Sequence, residues 1–467
     1  MATKSTNNSS RERIGFYSPI FSDIVKNKAN ILDGAGEINT SSNIDYPRFA
    51  LGFHHFIHSD KNKMKMFSQF KGKKKVYHVI NEFERYIDDY DEDIGKISDK
   101  FFSPRPEIIT QSFYKMWEML FYFDLAKKKS NDFSSIHISD GPNPFVQATL
   151  YFRDMYCENK KDSYYILAST ETAQQKTFQN KYSNNIKSFK DVDDLCKEVK
   201  GRVDLITGDR GKEWNTENKQ EQESFDGIFE QILCAVRKQK QGGCFVCKFF
   251  ETFTMTSIKL VAILSQLYDK VSVVKPLTSR GSNSEKYVVC VNFKLGEKDA
   301  QSAAIVLEKI YSQIKGLKKG KFLVDVFPNF ELENEFKATM ININKTVANE
   351  QLKSINQMIS YIESTNYHGD MYIEHRDKQI KAAKFWCDLF LSPVKELENN
   401  ITNAQDIINK DKMGLHEEYN RLLKVISADS SDPNPATKQK RKQERKQETI
   451  KNKSKSKSKS KSNKKSK

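Results

Sequence analysis

The 467-residue sequence contains no run of about 18 apolar residues, the length a helix needs to cross a membrane. It has only 7 cysteines, an odd number spread thinly along the chain, which favours free thiols in a reducing compartment over a disulfide framework. The first residues, MATKSTNNSSRERIG, lack the apolar stretch of a secretory signal. No GxxxxGK[ST] phosphate loop and no GxSxG nucleophile elbow occurs. We therefore expect an intracellular protein without membrane contact that is neither a P-loop NTPase nor a serine hydrolase of that type.

Positive charge is concentrated in one segment. The chain has 77 Lys and Arg against 61 Asp and Glu, a net charge of +16. Residues 438–467 hold 15 basic and two acidic residues and so carry +13, which leaves +3 for residues 1–437. The repeat KNKSKSKSKSKSNKKSK cannot bury apolar surface, so residues 431–467 are predicted to be a disordered basic tail. Such a tail either binds polyanions through counterion release or serves only solubility or targeting.

Hydrophobic residues make up 37% of the chain and aromatic residues 11%, enough for a packed core. Residues 1–12 read as a disordered polar leader, and residues 13–105 as an N-terminal accessory region without clear periodicity. Residues 298–430 are predicted to be a helical extension, because AAIVLEKIYSQI, NEQLKSINQMISYIE and DKQIKAAKFWCDLFL have apolar residues at helical spacing.

The segment between these regions, residues 106–297, alternates strands with helices. The predicted strands are SSIHISD, SYYILAS, VDLIT, GGCFVCKFF after a Gly-Gly turn, VSVVK and YVVCVNF. Helical patterns such as FVQATLYFRDMY and TSIKLVAILSQLY lie between them. This alternation predicts a doubly wound α/β domain with a mostly parallel, Rossmann-like sheet.

Two clusters could in principle bind metal. Cys244 and Cys247 form a CxxC without a second pair, and an offset of three in a strand points the two side chains to opposite faces. Two structural thiols are the better interpretation. His54 and His58 are four residues apart in FHHFIH but lack the glutamate of HExxH, so a packed or surface histidine cluster is favoured. The sequence predicts no metal site.

Polar residues follow several of the predicted strands. Asp140 follows the first, Asp209 follows VDLIT, Lys248 ends GGCFVCK, and Glu285 opens the last strand. Sites in such sheets lie beyond the carboxyl ends of the strands. Taken singly, each residue can be explained as a solvated or ion-paired side chain, and for a lone lysine that explanation is favoured.

Two longer segments are more specific: GGCFVCKFFETFT at 242–254 and VSVVKPLTSRGSNSEKYVVCVNF at 271–293. Through them, residues 106–297 resemble the FtsJ-like ribose 2′-O-methyltransferases, above all the mRNA cap-1 type of eukaryotes and large DNA viruses. The resemblance covers about 40% of the chain. It implies an S-adenosylmethionine-dependent enzyme that methylates RNA, with capped mRNA as the expected substrate and the first transcribed nucleotide as the expected position.

The resemblance also implies a catalytic tetrad of Lys115, Asp209, Lys248 and Glu285. In this hypothesis Lys248 removes the proton of the ribose 2′-OH, while Asp209 and Glu285 orient the two amines. Free lysine has a pKa of about 10.4, so a base needs a neutral amine, which a neighbouring cation and desolvation favour. Lys115 is expected to be that cation.

The cofactor loop that the resemblance implies departs from the family's GPGGF and reads Gly141-Pro142-Asn143-Pro144-Phe145. Asn tolerates the left-handed backbone that glycine would adopt, and Pro144 suits the first position of a helix. The predicted cofactor-binding residues are Asp140, Gly141, Pro142, Asn143, Phe145, Glu171 and Asp191. Two arginines, Arg210 and Arg280, are predicted to contact RNA phosphates.

Other interpretations stay open. The substrate could be ribosomal or another structured RNA, or the chain could be a non-catalytic RNA-binding protein with a decayed cofactor loop. The extensions could contact capping or transcription machinery. A viral protein would act in the host cytoplasm or virion, whereas the basic tail could direct a cellular protein to the nucleus.

Overall fold

The structure, a computed structural model, describes residues 17–34, 36–66, 79–83, 107–126, 132–157, 161–167, 173–211, 219–364 and 369–410. The predicted leader and the predicted basic tail lie outside these residues, so the expectations about them stay predictions. Within the described part, no helix combines the length and the apolar character needed to span a membrane.

An eight-stranded sheet forms the centre of the fold. Its strands, in chain order, are β1 (Ile20–Asp23), β3 (Ser134–Ile138), β4 (Ser163–Leu167), β5 (Ile186–Phe189), β6 (Val203–Gly208), β7 (Gln239–Phe249), β8 (Tyr268–Lys275) and β9 (Lys286–Phe293). Their spatial order is β1-β8-β9-β7-β6-β3-β4-β5. The pairs from β5 to β7 are parallel, whereas β9 runs antiparallel between β7 and β8. This confirms the predicted doubly wound α/β fold.

Helices cover both faces of this sheet. They are, in chain order, α1 (Leu51–Met66), α2 (Ser112–Phe123), α3 (Pro144–Tyr156), α4 (Ala173–Lys181), α5 (Val192–Glu198), α6 (Gln220–Lys238), α7 (Met255–Leu267), α8 (Glu297–Lys315), α9 (Asn334–Glu363), α10 (Asp370–Phe390) and α11 (Leu397–Lys410). One apolar core lies between the sheet and α6, α7 and α8. The other core lies between the opposite face and α2, α3, α10 and α11.

Strand β7 shows how one sequence supplies both cores. Phe245 and Cys247 lie in the first core, Val246 lies in the second, and Cys244 packs against the second. This is the period of two expected for a strand, and the two cysteines of the CxxC are free thiols on opposite faces. Burial raises the pKa of the Cys244 thiol to about 11, which makes that thiol a poor metal ligand.

The expected Gly-Gly turn before this strand is wrong. Strand β7 begins at Gln239, and Gly242 lies within it at a register irregularity opposite β6. Gly242 has a φ of +81°, a conformation that glycine adopts without the steric penalty of a Cβ atom. The two glycines therefore mark a bulge inside the strand, a position that glycine signals as often as a turn.

The N-terminal region contributes more ordered structure than its sequence predicts. Strand β1 extends the main sheet by pairing antiparallel with β8. A second sheet of two strands joins β2 (Ile38–Ser41) to β10 (Phe322–Val326), which lies in the predicted helical extension. Both N-terminal strands have only four residues, too few for a clear alternating pattern. The predicted domain boundaries stay predictions.

Candidate active site

Two lysine–carboxylate ion pairs lie at one edge of the main sheet. Lys115 Nζ is 2.5 Å from Glu285 Oε1, and Lys248 Nζ is 2.9 Å from Asp209 Oδ1. Lys248 Nζ also donates a hydrogen bond of 3.0 Å to the backbone oxygen of Asp209. All four side chains are only 10–13% exposed, so solvent screens these pairs weakly. The structure thus brings together the four residues that the sequence predicted as a tetrad, in two pairs.

The topology of the sheet explains this convergence. Asp209 directly follows β6 and Lys248 lies near the end of β7, and these two strands are parallel neighbours whose carboxyl ends meet. Strand β9 is antiparallel to β7, so its first residues, preceded by Glu285, meet the same end of β7. Lys115 reaches this edge from the first turns of α2.

The charges of the site differ from the sequence-based expectation. Burial alone would lower the pKa of the Lys248 amine, but the carboxylates of Asp209 and Glu285 outweigh it and hold that pKa above its ordinary value. Burial would likewise raise the pKa of Glu285, but the amines of Lys115 and Lys248 lower it to about 2. The expectation gave the two anions an orienting role and left out their effect on the pKa of Lys248. Two ammonium groups face two carboxylates, and the four charges balance.

A third amine, which the sequence reasoning missed, supports the segment that carries Glu285. Lys275 Nζ donates to the backbone oxygens of Glu285 at 2.8 Å and Asn283 at 3.0 Å, to Asn283 Oδ1 at 2.9 Å and to Ser279 Oγ at 3.2 Å. Burial lowers the pKa of this amine to about 7. Residues 276–285 connect β8 to β9, and we call them the β8–β9 loop. Lys275, the last residue of β8, holds this loop in place.

A buried carboxylate holds the same loop from the other side. Glu118, on α2, accepts hydrogen bonds from the backbone N–H groups of Leu277 at 2.8 Å and Thr278 at 2.9 Å and from the Thr278 hydroxyl at 2.6 Å. It also accepts from Trp386 Nε1 on α10 at 3.3 Å. Burial raises the pKa of Glu118. No sequence signal marked this residue, because its partners are about 160 and 268 positions away.

The predicted cofactor loop, residues 140–145, lies at the end of β3 and leads into α3. An added Cβ at Gly141 would meet no heavy atom within 4 Å, so there is open space beside the loop for a ligand to approach. Pro144 occupies the start of α3, as predicted. Such a helix N-terminus presents free N–H groups to an anionic group, so these residues fit the carboxylate of S-adenosylmethionine.

Two residues of this loop serve packing. Asn143 has a φ of −101°, so the left-handed conformation that Asn tolerates is not used here. Its side chain donates to the backbone oxygen of Leu167 at 3.0 Å, which ties the loop to the end of β4. Phe145 is buried in the core, with its ring centroid 5.7 Å from that of Tyr287. The substitution of the family's glycine by asparagine therefore leaves the space beside Gly141 open.

Comparison with known proteins identifies one segment of the chain. Residues 108–293 match the family model described as "FtsJ-like methyltransferase". This segment is an FtsJ-like methyltransferase domain. The match confirms the resemblance and the predicted methyl donor, S-adenosylmethionine.

Curated relatives match part of the chain. The chain is 30% identical over 168 residues to "Cap-specific mRNA (nucleoside-2′-O-)-methyltransferase 1" of Mus musculus. This match covers 36% of this chain and 20% of the relative. It is 23% identical over 323 residues to "Cap-specific mRNA (nucleoside-2′-O-)-methyltransferase 2" of Drosophila melanogaster, covering 64% of this chain and 45% of the relative. The matches thus span from one fifth to less than half of these relatives.

A solved structure described as a putative ribosomal RNA methyltransferase of Plasmodium falciparum is 17% identical. It covers 39% of this chain and 97% of that chain, with a TM-score of 0.31. A TM-score of this size supports no conclusion about the site.

The remaining predicted site residues have varied surroundings in the methyltransferase domain. The Arg210 guanidinium forms ion pairs with Asp140, at 3.0 Å, and with Glu230. Asp191 caps α5 by accepting a hydrogen bond of 2.8 Å from the N–H of Asp194. These contacts give the three predicted residues structural partners, and their roles toward RNA or cofactor stay predictions. The prediction for Glu171 lies outside the described residues.

Arg280, in the β8–β9 loop, lines a cavity of about 410 Å³. The cavity is bounded by that loop, by residues 17–20 and 80–83 and by four side chains of α9. Lys275, beside the tetrad, also lines it. The N-terminal region and the helical extension therefore form the walls of a cavity at the edge of the methyltransferase domain.

Proposed function

We propose that this chain is an RNA ribose 2′-O-methyltransferase that acts on the first transcribed nucleotide of capped mRNA. The observation that carries the proposal is the convergence of two amines and two carboxylates beside the open cofactor loop. The matched domain and the activities named for the curated relatives support it.

The reaction needs the proton of a ribose 2′-OH to be removed as the oxygen bonds to the methyl carbon. S-adenosylmethionine, when bound, would supply that methyl group from a positive sulfonium, and the breaking of the carbon–sulfur bond would leave a neutral thioether. Before this step the Lys248 ammonium releases its own proton to solvent, which added positive charge in the site favours. The neutral amine then accepts the proton of the hydroxyl. The Asp209 carboxylate and backbone oxygen fix the direction of the amine. Positioning and proton transfer together supply the rate enhancement.

The RNA is proposed to enter over the β8–β9 loop. A volume of about 410 Å³ is within the range of small-ligand pockets and suits one nucleotide. In this proposal Arg280 contacts a phosphate and the cavity holds a nucleotide next to the one that is methylated. Tyr17 and Phe83 line the cavity and offer aromatic surface for a base.

The test compares methyl transfer by the full chain to capped and uncapped oligonucleotides of the same sequence, with mass mapping of the product. We expect methylation of the first transcribed nucleotide of the capped RNA only. Lys248→Ala should lower the rate by about 10²–10⁴-fold, the usual contribution of a general base. Lys240→Ala is the matched control, since Lys240 is an exposed lysine at the other end of β7.

Three results would contradict parts of the proposal. Equal methylation of uncapped RNA would favour a structured-RNA substrate. Undiminished transfer by Lys248→Ala would remove its role as base. No heat of S-adenosylmethionine binding by calorimetry would favour a non-catalytic RNA-binding protein.

A further inference from the structure

Two histidines and a glutamate meet between α1 and the segment that follows β7. His54 and His58 are one turn apart on α1, with ring centroids separated by 4.3 Å. Glu251 follows the end of β7 and lies 193 residues from His58 in sequence. One ligand atom from each of the three residues can be chosen so that all lie within 4.8 Å of one another.

The cluster is buried, and its internal contacts are long. His58 and Glu251 are each 4% exposed. His58 Nε2 lies 3.4 Å from both carboxylate oxygens of Glu251, whereas a charge-assisted hydrogen bond is about 2.7–2.9 Å long. Two polar atoms of the cluster, His58 Nδ1 and Glu251 Oε1, are buried and have no hydrogen-bond partner among the residues that the structure describes. Buried polar atoms of this kind are rare in folded proteins, and a bound ion is one way in which such atoms become satisfied.

The donor set selects the kind of ion. Two imidazoles and one carboxylate form a common three-ligand set for Zn²⁺, with a water as the fourth ligand. Imidazole nitrogen favours zinc and other transition metals over Mg²⁺ and Ca²⁺, which prefer oxygen. In a tetrahedral site with bonds of about 2.0–2.1 Å the ligand atoms lie about 3.3 Å apart. The observed spread of up to 4.8 Å therefore needs a small inward movement, which His54, the least buried member, can make.

We propose that His54, His58 and Glu251 form a binding site for one divalent transition-metal ion, with Zn²⁺ as the preferred ion. The ion cross-links α1 to the segment that follows β7. That junction already contains a backbone hydrogen bond of 3.0 Å from Phe49 N–H to Phe253 O, and Ile57 of α1 packs in the same small core as Phe253. The site is separate from the tetrad and does not rest on the proposed function.

The competing arrangement is a metal-free ion pair. Lys61, on the same helix, and Lys286, at the start of β9, both act on the charge of Glu251. A protonated His58 together with these two amines could satisfy the carboxylate without a metal. The experiment must therefore detect the metal itself.

The test uses the full chain after removal of metal with a chelator and dialysis. Co²⁺ is titrated as a spectroscopic probe, followed by displacement with Zn²⁺, and bound metal is counted by elemental analysis. We expect one equivalent of Co²⁺ with the visible absorption of a tetrahedral site, lost when Zn²⁺ is added. Zn²⁺ should also raise the midpoint of thermal unfolding.

Single variants identify the ligands. His54→Ala and Glu251→Gln should weaken binding by more than the roughly 10–100-fold that the loss of a ligand's hydrogen-bond partner costs. His55→Ala is the matched control, because His55 is a histidine on the same helix that lies outside the cluster. Circular dichroism establishes that each variant is folded. His54 is only half-buried, so its replacement leaves the core intact.

Two outcomes would overturn the proposal. The first is binding of less than one equivalent of Co²⁺ by the unmodified chain at micromolar concentration, which would leave the ion pair as the explanation. The second is equal loss of binding in His54→Ala and His55→Ala, which would indicate adventitious binding to surface histidines.

Discussion

Replacing Asp209 with Asn should lower the pKa of the Lys248 amine below the ordinary lysine value. Burial lowers this pKa, and the negative charge of Asp209 is the largest of the effects that raise it. The variant removes the charge 2.9 Å from Nζ but keeps the backbone oxygen that accepts from Nζ at 3.0 Å. Lys248 therefore stays in place while its charged form loses its main support.

The magnitude follows from Coulomb's law. With an effective dielectric constant of about 20, two unit charges 2.9 Å apart attract by about 6 kcal/mol. The two side chains are 10–12% exposed, and Glu285 still supports the ammonium, so the full value is an upper bound. Since about 1.36 kcal/mol changes a protonation equilibrium tenfold, even part of this attraction is enough to lower the pKa of Lys248 measurably.

The measurement is competitive acylation of lysines as a function of pH, followed by peptide mass mapping. The pH at which Lys248 becomes half-reactive reports the pKa of its amine. It should lie above the ordinary lysine value in the unmodified chain and be clearly lower in the variant. Lys240, paired with Asp204 at 3.3 Å, serves as an internal control and should not change.

An unchanged half-reactive pH for Lys248 would refute the reasoning. It would mean that the Asp209 carboxylate does not hold the ammonium and that the balance of charges described for the site is wrong. A shift in Lys240 of equal size would instead show a general change in the protein.

Three further predictions concern buried charges. Glu118→Gln should lower the free energy of unfolding, measured with denaturant, by about 1–3 kcal/mol, because an amide nitrogen would face the N–H of Leu277. Unaltered stability and methyl transfer in this variant would contradict the role of Glu118 in holding the β8–β9 loop. Asp162→Asn should cost about 3–5 kcal/mol by the same measurement, since it leaves the fully buried Arg153, now bound at 2.8 and 3.0 Å, with an uncompensated charge. Glu285 has a pKa of about 2, below its ordinary value of 4.5. The ionised carboxylate therefore contributes about 3 kcal/mol to the free energy of unfolding above pH 4.5, and this contribution is lost as the pH falls toward 2. The difference in free energy of unfolding between the unmodified chain and Glu285→Gln should therefore shrink by about 2 kcal/mol from pH 5.5 to 3, and a constant difference would count against this ion pair.

The sequence was sufficient for the strands that have strong local patterns. Strands β3, β4, β6, β8 and β9 were all predicted, because each is an apolar run bounded by polar or turn residues. Strands β1, β2, β5 and β10 were missed. They have four or five residues, and IKSF in β5 has exposed positions that hide any alternation. Their pairing partners decide that they are strands, and those partners are not visible locally.

The candidate active site was likewise predictable only in part. The ends of the predicted strands indicated where Asp209, Lys248 and Glu285 would lie. The family resemblance assigned these three residues, together with Lys115, to one catalytic tetrad. The charges could not be predicted in the same way, since the pKa of Lys248 depends on two anions brought near by folding. The buried Glu118 depends likewise on partners far along the chain. Local patterns carry no information about such contacts, because a buried charge is tolerated only through its final partners.

The β8–β9 loop has a consequence for engineering and for divergence among relatives. Both of its ends belong to adjacent antiparallel strands, so it can be replaced as a cassette, with Glu285 retained, without altering the order of the sheet. Its inner N–H groups, however, donate to Glu118, and its inner carbonyl oxygens accept from Lys275. Both of these residues lie outside the cassette. A loop graft that is meant to change RNA specificity must therefore exchange Glu118 and Lys275 together with the loop. Among relatives, we expect these two residues and the loop to vary together.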